Sequence, residues 1–164
     1  MTQPVTTIVA PLTTWTGEVI EEWLDYNGHM TEHRYLQVCG EASDHLYGLI
    51  GVDFARAEEG AFYTLQTHLV HLKECRLGTP LKVTSEILGH DDKRLHLYHR
   101  IFDGAGNLLA TGEHLSIHVA HGKSGPASPA MQQKIAEIHA ACVGLPLPAG
   151  TGSVLHKPLA IHRS

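Results

Sequence analysis

The sequence has no long apolar run, no basic tract and few cysteines, and each absence excludes a class of protein. No stretch approaches the ~18 apolar residues of a membrane-spanning helix. The first residues lack the basic and apolar regions of a secretory signal. We therefore expect a cytoplasmic protein with no membrane partner. The formal charge of −5, with 12 Lys and Arg against 17 Asp and Glu and no basic cluster, disfavours nucleic acid as a partner.

The sequence also lacks the spacings that bind metals or form disulfide frameworks. Its three cysteines, Cys39, Cys75 and Cys142, are odd in number and far apart, so we interpret them first as buried thiols and second as reactive ones. Fourteen histidines are present, but neither a CxxC nor an HExxH motif occurs. We therefore expect no metal and no cofactor, and ordinary surface or half-buried roles for three closely spaced pairs: His29 and His33, His68 and His71, His114 and His118.

A long amphipathic helix is predicted from Thr31 to Ile50. Thr31 is a plausible N-cap, since its hydroxyl can accept a hydrogen bond from a first-turn amide. Gly40 inside the helix predicts the close approach of another backbone. The apolar positions recur every three or four residues and form one stripe: Tyr35, Val38, Cys39, Ala42, Leu46, Leu49 and Ile50.

Five segments have the residue pattern of strands. The first, Thr14 to Val19, precedes the helix and is rich in β-branched and aromatic residues. The other four follow the helix, and short turn-forming segments separate them, which predicts an antiparallel meander. These four segments are Phe62 to Glu74, Pro80 to Leu88, Arg94 to Phe102 and Leu108 to Ala120.

Residues 126–164 form a separate part of the chain. After a break at Pro126 to Pro129, Ala130 to Val143 is a second, shorter amphipathic helix, followed by a tail rich in Pro and Gly. We expect one domain over residues 1–125, with residues 126–164 packed on it or on a partner subunit. The apolar residues of the tail that can dock in this way are Val154, Leu155, Leu159 and Ile161.

The order of elements predicts an α+β fold, with an antiparallel sheet of five or six strands wrapped around one long helix. Such a sheet has an open edge, and pairing of two copies would cover it. We therefore expect a homodimer, with higher homo-oligomers left open.

The segment from Asp25 to the start of the long helix combines an acid, a glycine turn and a histidine. A carboxylate beside the N-terminus of a helix, where backbone amides are free to donate, is an arrangement that can serve in catalysis. An Asp before Tyr-Asn-Gly is also an ordinary turn former, so from the residues alone both interpretations stay open.

The motif Asp25-x-x-Gly28-His29-Met30-x-x-x-x-Tyr35 resembles the signature of hotdog-fold acyl-CoA thioesterases of the 4-hydroxybenzoyl-CoA thioesterase type. The Asp, Gly, His and Tyr fall at the family spacing, while Thr31 and Glu32 stand where many members have two asparagines. The resemblance covers roughly residues 15–120 and implies a hotdog fold.

Three segments also resemble the betainyl-CoA thioesterases of carnitine breakdown, which hydrolyse betainyl-CoA to glycine betaine and CoA. These segments are residues 25–38, residues 89–97 and residues 109–113. The resemblance implies a small-molecule acyl-CoA as substrate. The alternatives are a thioesterase for another short or aromatic acyl-CoA and a non-catalytic hotdog module that binds acyl-CoA.

The resemblance assigns the catalytic carboxylate to Asp25, as general base or as nucleophile. The backbone amides of Glu32 and His33 would polarise the thioester carbonyl. His29 is also assigned to the catalytic group, first as a support for the loop and second as a proton carrier, and Tyr35 would belong to the core. Glu41 is reminiscent of a thioesterase branch with a helix glutamate, but the His-Gly-Gly motif of that branch is missing. The expected substrate-binding residues are Trp23, Tyr26, Asn27, Gly28, Glu32 and Tyr63; those expected near the CoA phosphates are Arg76, Lys93 and Arg94.

Overall fold

A computed structural model describes residues 7–155 of the chain. The elements follow the predicted order. Two 3₁₀ turns lie at Glu21–Trp23 and Phe54–Glu59, on either side of the long helix. The helices and strands are β1 (Leu12–Glu18), α1 (Glu32–Ile50), β2 (Ala61–His71), β3 (Pro80–His90), β4 (Arg94–Asp103), β5 (Leu108–Ala120), β6 (Lys123–Ser124) and α2 (Pro129–Cys142).

The strands form one antiparallel sheet in the order β1-β3-β4-β5-β2, with β6 paired to β5. β1 and β2 are its edges, and β2 has a bulge between Thr64 and Gln66. Tyr63 and Leu65 beside this bulge remain exposed. The sheet packs one face on α1, which confirms the predicted α+β class.

The predicted stripe of α1 forms the centre of the core. Val38, Cys39, Ala42 and Leu46 are fully buried and pack against β3, β4 and β5. Leu49 is an exception, because it is nearly half exposed. Gly51 ends the helix in the left-handed conformation with φ of 117°, which glycine adopts without a Cβ penalty.

Two expectations about α1 are wrong. A Cβ added at Gly40 would meet nothing within 4 Å, so no backbone approaches there. Thr31 is the N-cap residue, but its side chain makes no capping bond. Its hydroxyl instead donates to the carbonyl of Trp23 at 2.9 Å, so no side chain occupies the first amides of the helix.

The C-terminal segment packs on two further parts of the molecule. α2 begins at the N-cap Ser128, whose hydroxyl accepts from the Met131 amide at 3.2 Å, and its apolar face packs on the α1–β3 part of the core. Leu155 of the tail contacts Leu115 of β5, whereas Val154 is exposed. Leu159 and Ile161 lie outside the described residues.

Candidate functional site

The loop that contains Asp25 is held beside the N-terminus of α1 by backbone hydrogen bonds. The Asp25 amide donates to the His29 carbonyl at 2.8 Å, and the Gly28 amide donates to the Asp25 carbonyl at 3.0 Å. Gly28 has a φ of 73°, which favours glycine. The Thr31 amide then donates to the carbonyl of Trp23 at 2.8 Å, so the loop closes on itself directly before the helix.

The Asp25 carboxylate is oriented by the same loop. Its Oδ1 accepts from the amides of Asn27 at 2.8 Å and His29 at 3.1 Å. The His29 amide, followed by that of Asn27, lowers the pKa of Asp25 below its ordinary value against the opposing effect of desolvation. Asp25 is therefore ionised at neutral pH, which is the form that a general base or a nucleophile requires.

A cleft of about 380 Å³ lies between this loop, the first turn of α1 and the segment after β2. The segment is fixed to the loop because the Met30 amide donates to the Cys75 carbonyl at 2.9 Å. His29 Nε2 lies 3.3 Å from a carboxylate oxygen of Glu74 across the cleft. The lining residues are Asp25, His29, Met30, Glu32, Tyr35, His71, Leu72, Lys73 and Glu74.

Tyr35 lines this cleft but is almost fully buried. Its hydroxyl contacts the Cys75 thiol at 3.4 Å, and burial raises its pKa far above the usual value. A neutral, buried phenol that is already hydrogen bonded packs the floor of the cleft and supplies no base.

The amides of Glu32 and His33 belong to the first turn of α1, which has no intrahelical acceptor for them and no side-chain cap. They are therefore available donors at the positive end of the helix dipole. A thioester carbonyl bound against this turn would lie in the same cleft as Asp25. The two amides could then polarise that carbonyl.

The aromatic candidates lie outside the cleft. Trp23 is buried, stacks on Trp15 with ring centroids 6.3 Å apart and already has the Arg34 guanidinium 5.8 Å from its ring centre. Tyr26 is 96% exposed, and Tyr63 lies on the exposed edge strand β2. Of the residues expected to bind substrate, only Glu32 lines the cleft, while Asn27 and Gly28 belong to the loop that forms its wall.

The basic candidates are divided between the two ends of the sheet. Arg76 forms a backbone bridge with His29 and is close to the cleft. Lys93 and Arg94 lie at the β3–β4 turn, at the opposite end of β4, and Arg94 pairs with Asp91 at 2.7 Å. Of these three candidates, Arg76 is the one close to Asp25.

Glu41 does not take part in this cleft. Its two carboxylate oxygens accept from Trp15 Nε1 at 2.7 Å and Gln37 Nε2 at 2.9 Å. It is therefore part of a hydrogen-bonded group on the surface of α1.

A second cavity, of about 400 Å³, lies on the face of the sheet away from α1, beneath the tail. Its charged side chains are paired: Arg100 with Glu86, and Glu113 with His96 at 2.6 Å and with the Gly152 amide at 2.6 Å. The Gly152–Glu113 contact attaches the tail to β5, and the other two pairs link neighbouring strands of the sheet.

Sequence reasoning missed one wall of the cleft, formed by His71, Leu72, Lys73 and Glu74. The only available signal was that Lys73 and Glu74 break the apolar alternation at the end of a strand. No group of three or more potential metal ligands occurs within residues 7–155. In the same range no helix is both long and apolar enough to cross a membrane.

The comparisons with known proteins all indicate the same family. The profile of the thioesterase-like superfamily matches residues 19–138. A betainyl-CoA thioesterase from Pseudomonas aeruginosa is 37% identical over 157 residues, which are 90% of this chain and 96% of that protein. An L-carnitine dehydrogenase/betainyl-CoA thioesterase from Rhizobium meliloti is 45% identical over 146 residues, which are 87% of this chain but only 29% of that protein. The chain thus spans less than a third of the length of this bifunctional relative.

Solved structures agree with this assignment. A candidate thioesterase from Pseudomonas putida KT2440 is 31% identical with a TM-score of 0.79 over 90% of this chain and 97% of that one. A hypothetical protein from Staphylococcus aureus, solved in complex with CoA, has the same fold, with a TM-score of 0.82 at 24% identity over 92% and 98% of the two chains. The predicted hotdog fold is confirmed, and the chain belongs to the thioesterase-like superfamily.

Proposed function

We propose that this protein is an acyl-CoA thioesterase that hydrolyses betainyl-CoA to glycine betaine and CoA in carnitine breakdown. The observation that carries the proposal is the ionised Asp25 carboxylate beside the uncapped first turn of α1, within one cleft. The names of the relatives from Pseudomonas aeruginosa and Rhizobium meliloti support the choice of acyl group. We further propose a cytoplasmic homodimer, in which a second subunit covers the open edge of β2.

Two routes are open to the Asp25 carboxylate. As general base it takes a proton from a water whose oxygen attacks the thioester carbonyl. As nucleophile it attacks the carbonyl itself and forms a mixed anhydride that water then hydrolyses. In both routes the carbonyl oxygen becomes an oxyanion, which the Glu32 and His33 amides stabilise, and the C–S bond breaks to release CoA.

The test is release of free thiol from a panel of acyl-CoAs by wild type and by Asp25→Asn. We expect wild type to turn over betainyl-CoA best and Asp25→Asn to lose ~10²-fold or more in kcat/KM, the usual contribution of a general base. The variant should fold normally, because an amide oxygen can accept the same two backbone hydrogen bonds.

The matched control is Asp53→Asn. Asp53 Oδ1 also accepts the amide two residues later, from Ala55 at 3.0 Å, but Asp53 lies beyond the far end of α1. Turnover of another short or aromatic acyl-CoA in preference to betainyl-CoA would change the assigned substrate. Binding of acyl-CoA without thiol release by wild type would instead indicate a non-catalytic module.

A further inference from the structure

The Asp25 cleft is lined by more negative than positive groups. Apart from its imidazoles, it is lined by the carboxylates of Asp25, Glu32 and Glu74 and the ammonium group of Lys73, and the Arg76 guanidinium lies near Gly28 of the same loop. Hydrolysis of a thioester creates further negative charge on the carbonyl oxygen. Like charges at short range oppose this step, so the cleft is poorly matched to a neutral acyl group.

A positive acyl group would reverse this mismatch. In a betainyl thioester, one methylene separates the quaternary nitrogen from the carbonyl carbon, so the two atoms are only about 2.5 Å apart by ordinary bond lengths. A carbonyl placed against Asp25 therefore brings the cation into the same cleft. Within one subunit the residues that recognise it must be lining residues, and Trp23, Tyr26 and Tyr63 of the same subunit do not line the cleft.

Glu74 contributes its carboxylate to the wall of the cleft that the segment after β2 forms. It lies 3.3 Å from His29 Nε2, and the next residue, Cys75, accepts the amide of Met30. Glu32 is at the first position of α1, where a carboxylate already stabilises the positive end of the helix dipole. Of the two carboxylates that accompany Asp25, Glu74 is thus the one that lies away from the helix N-terminus.

Aromatic rings line the cleft beside Glu74. Tyr35 and His71 pack edge to face with ring centroids 5.0 Å apart, and both residues line the cleft. A trimethylammonium group cannot donate a hydrogen bond, so carboxylates and ring faces are the groups that recognise it.

We propose that Glu74, with the Tyr35–His71 ring pair, forms the subsite for the trimethylammonium group of the substrate and is the specificity-determining carboxylate of the cleft. The inference rests on the proposed hydrolysis of betainyl-CoA. Lys73, the neighbouring cation, lies on the same segment and would repel the same group, so the proposal requires Glu74 to dominate at that wall.

The test compares betainyl-CoA with 3,3-dimethylbutanoyl-CoA, in which carbon replaces the quaternary nitrogen and the shape is nearly unchanged. The measured quantity is the ratio of the two kcat/KM values. We expect wild type to prefer betainyl-CoA and Glu74→Gln to reduce the ratio by roughly 10-fold, as expected for loss of one partly screened charge interaction. Glu74→Asp, which keeps the charge, should retain most of the preference.

Glu58→Gln is the matched control, because Glu58 is exposed beyond the far end of α1, and its ratio should equal that of wild type. An unchanged ratio in Glu74→Gln, or an equal loss on both substrates, would overturn the inference. If wild type hydrolyses both thioesters equally well, the cation subsite is also overturned, but the protein is still a thioesterase. Wild type that hydrolyses no acyl-CoA would refute the proposed function, and the inference with it.

Discussion

Two buried histidines between α1 and the sheet predict that the protein loses stability in mild acid. His99 of β4 and His114 of β5 pack with ring centroids 5.0 Å apart and are almost completely buried. The His99 nitrogens contact Ser43 Oγ at 2.9 Å and Ser85 Oγ at 2.6 Å. His114 Nδ1 lies 3.3 Å from Thr67 Oγ1, and its Nε2 has no hydrogen-bond partner within the described residues.

The direction of the effect follows from the pKa values. Burial lowers the pKa of His114 from 6.5 to about 4. Burial, together with the nearby His114, holds the pKa of His99 well below its usual value. Both imidazoles are thus neutral in the folded protein, whereas an unfolded chain protonates them below pH ~6.5. Their contribution to stability is complete above that pH and is lost as the pH falls towards 4.

The magnitude is large compared with the stability of a domain. A shift of one pKa unit corresponds to 1.36 kcal/mol, so His114 alone should cost about 3 kcal/mol between pH 6.5 and 4. Domains of this size are stable by ~5–15 kcal/mol. His99 adds a loss in the same direction.

Urea unfolding at a series of pH values and one fixed protein concentration measures this loss. His114→Gln removes one of the two groups, so the slope of the free energy of unfolding against pH should become shallower between pH 6.5 and 4.5. His45→Gln, at an exposed position of α1, is the control and should keep the wild-type slope. Equal slopes for wild type and His114→Gln would show that His114 does not titrate differently in the folded and unfolded states.

Three further predictions concern the Asp25 carboxylate, the packing of β5 on α1 and the helix propensity of α1. The amides of His29 and Asn27 lower the pKa of Asp25. Protonation of Asp25 should therefore not reduce kcat/KM until the pH falls below the ordinary aspartate value of ~4. A loss of kcat/KM centred near neutral pH would contradict this prediction. Gly112→Ala should destabilise the fold by ~1–3 kcal/mol in urea unfolding, since its Cβ would lie 2.9 Å from Cys39 Sγ and 3.0 Å from His114 Nε2. Gly40→Ala, with nothing within 4 Å, should instead stabilise the helix by ~0.5–1 kcal/mol, and equal effects of the two substitutions would refute the packing argument.

The elements of this fold were predictable because their signals are local. The α1 stripe repeats within one helix, so Val38, Ala42 and Leu46 could be assigned to the core before any partner was known. The same holds for β4, where Leu95, Leu97 and Ile101 alternate with residues of the other face and are all buried. The Asp25 loop was also predictable, since its acid, glycine and histidine lie within five residues.

The remaining parts of the site depend on contacts between distant segments, which one sequence does not specify. Glu74 reaches His29 only because β2 ends beside the loop and Cys75 pairs with Met30. The Thr31 hydroxyl turns away from the helix because the Trp23 carbonyl is nearby. For the same reason the aromatic residues near Asp25 in sequence, Trp23 and Tyr26, do not line the cleft, whereas His71 from the end of β2 does.

The polar contacts between α1 and the sheet link the packing of the core to the geometry of the candidate site. Apolar side chains set the distance between the helix and the sheet but tolerate small slides and rotations, whereas hydrogen bonds have preferred directions. Ser43 contacts His99, and Tyr47 contacts Ser116 at 2.8 Å, so the middle and last part of α1 are fixed to β4 and β5. Because the helix is rigid, these contacts also fix where its first turn ends, and therefore where the Glu32 and His33 amides lie relative to Asp25. His99, one of the two buried histidines that make the fold sensitive to acid, is thus also one of the residues that fix the position of α1 beside Asp25.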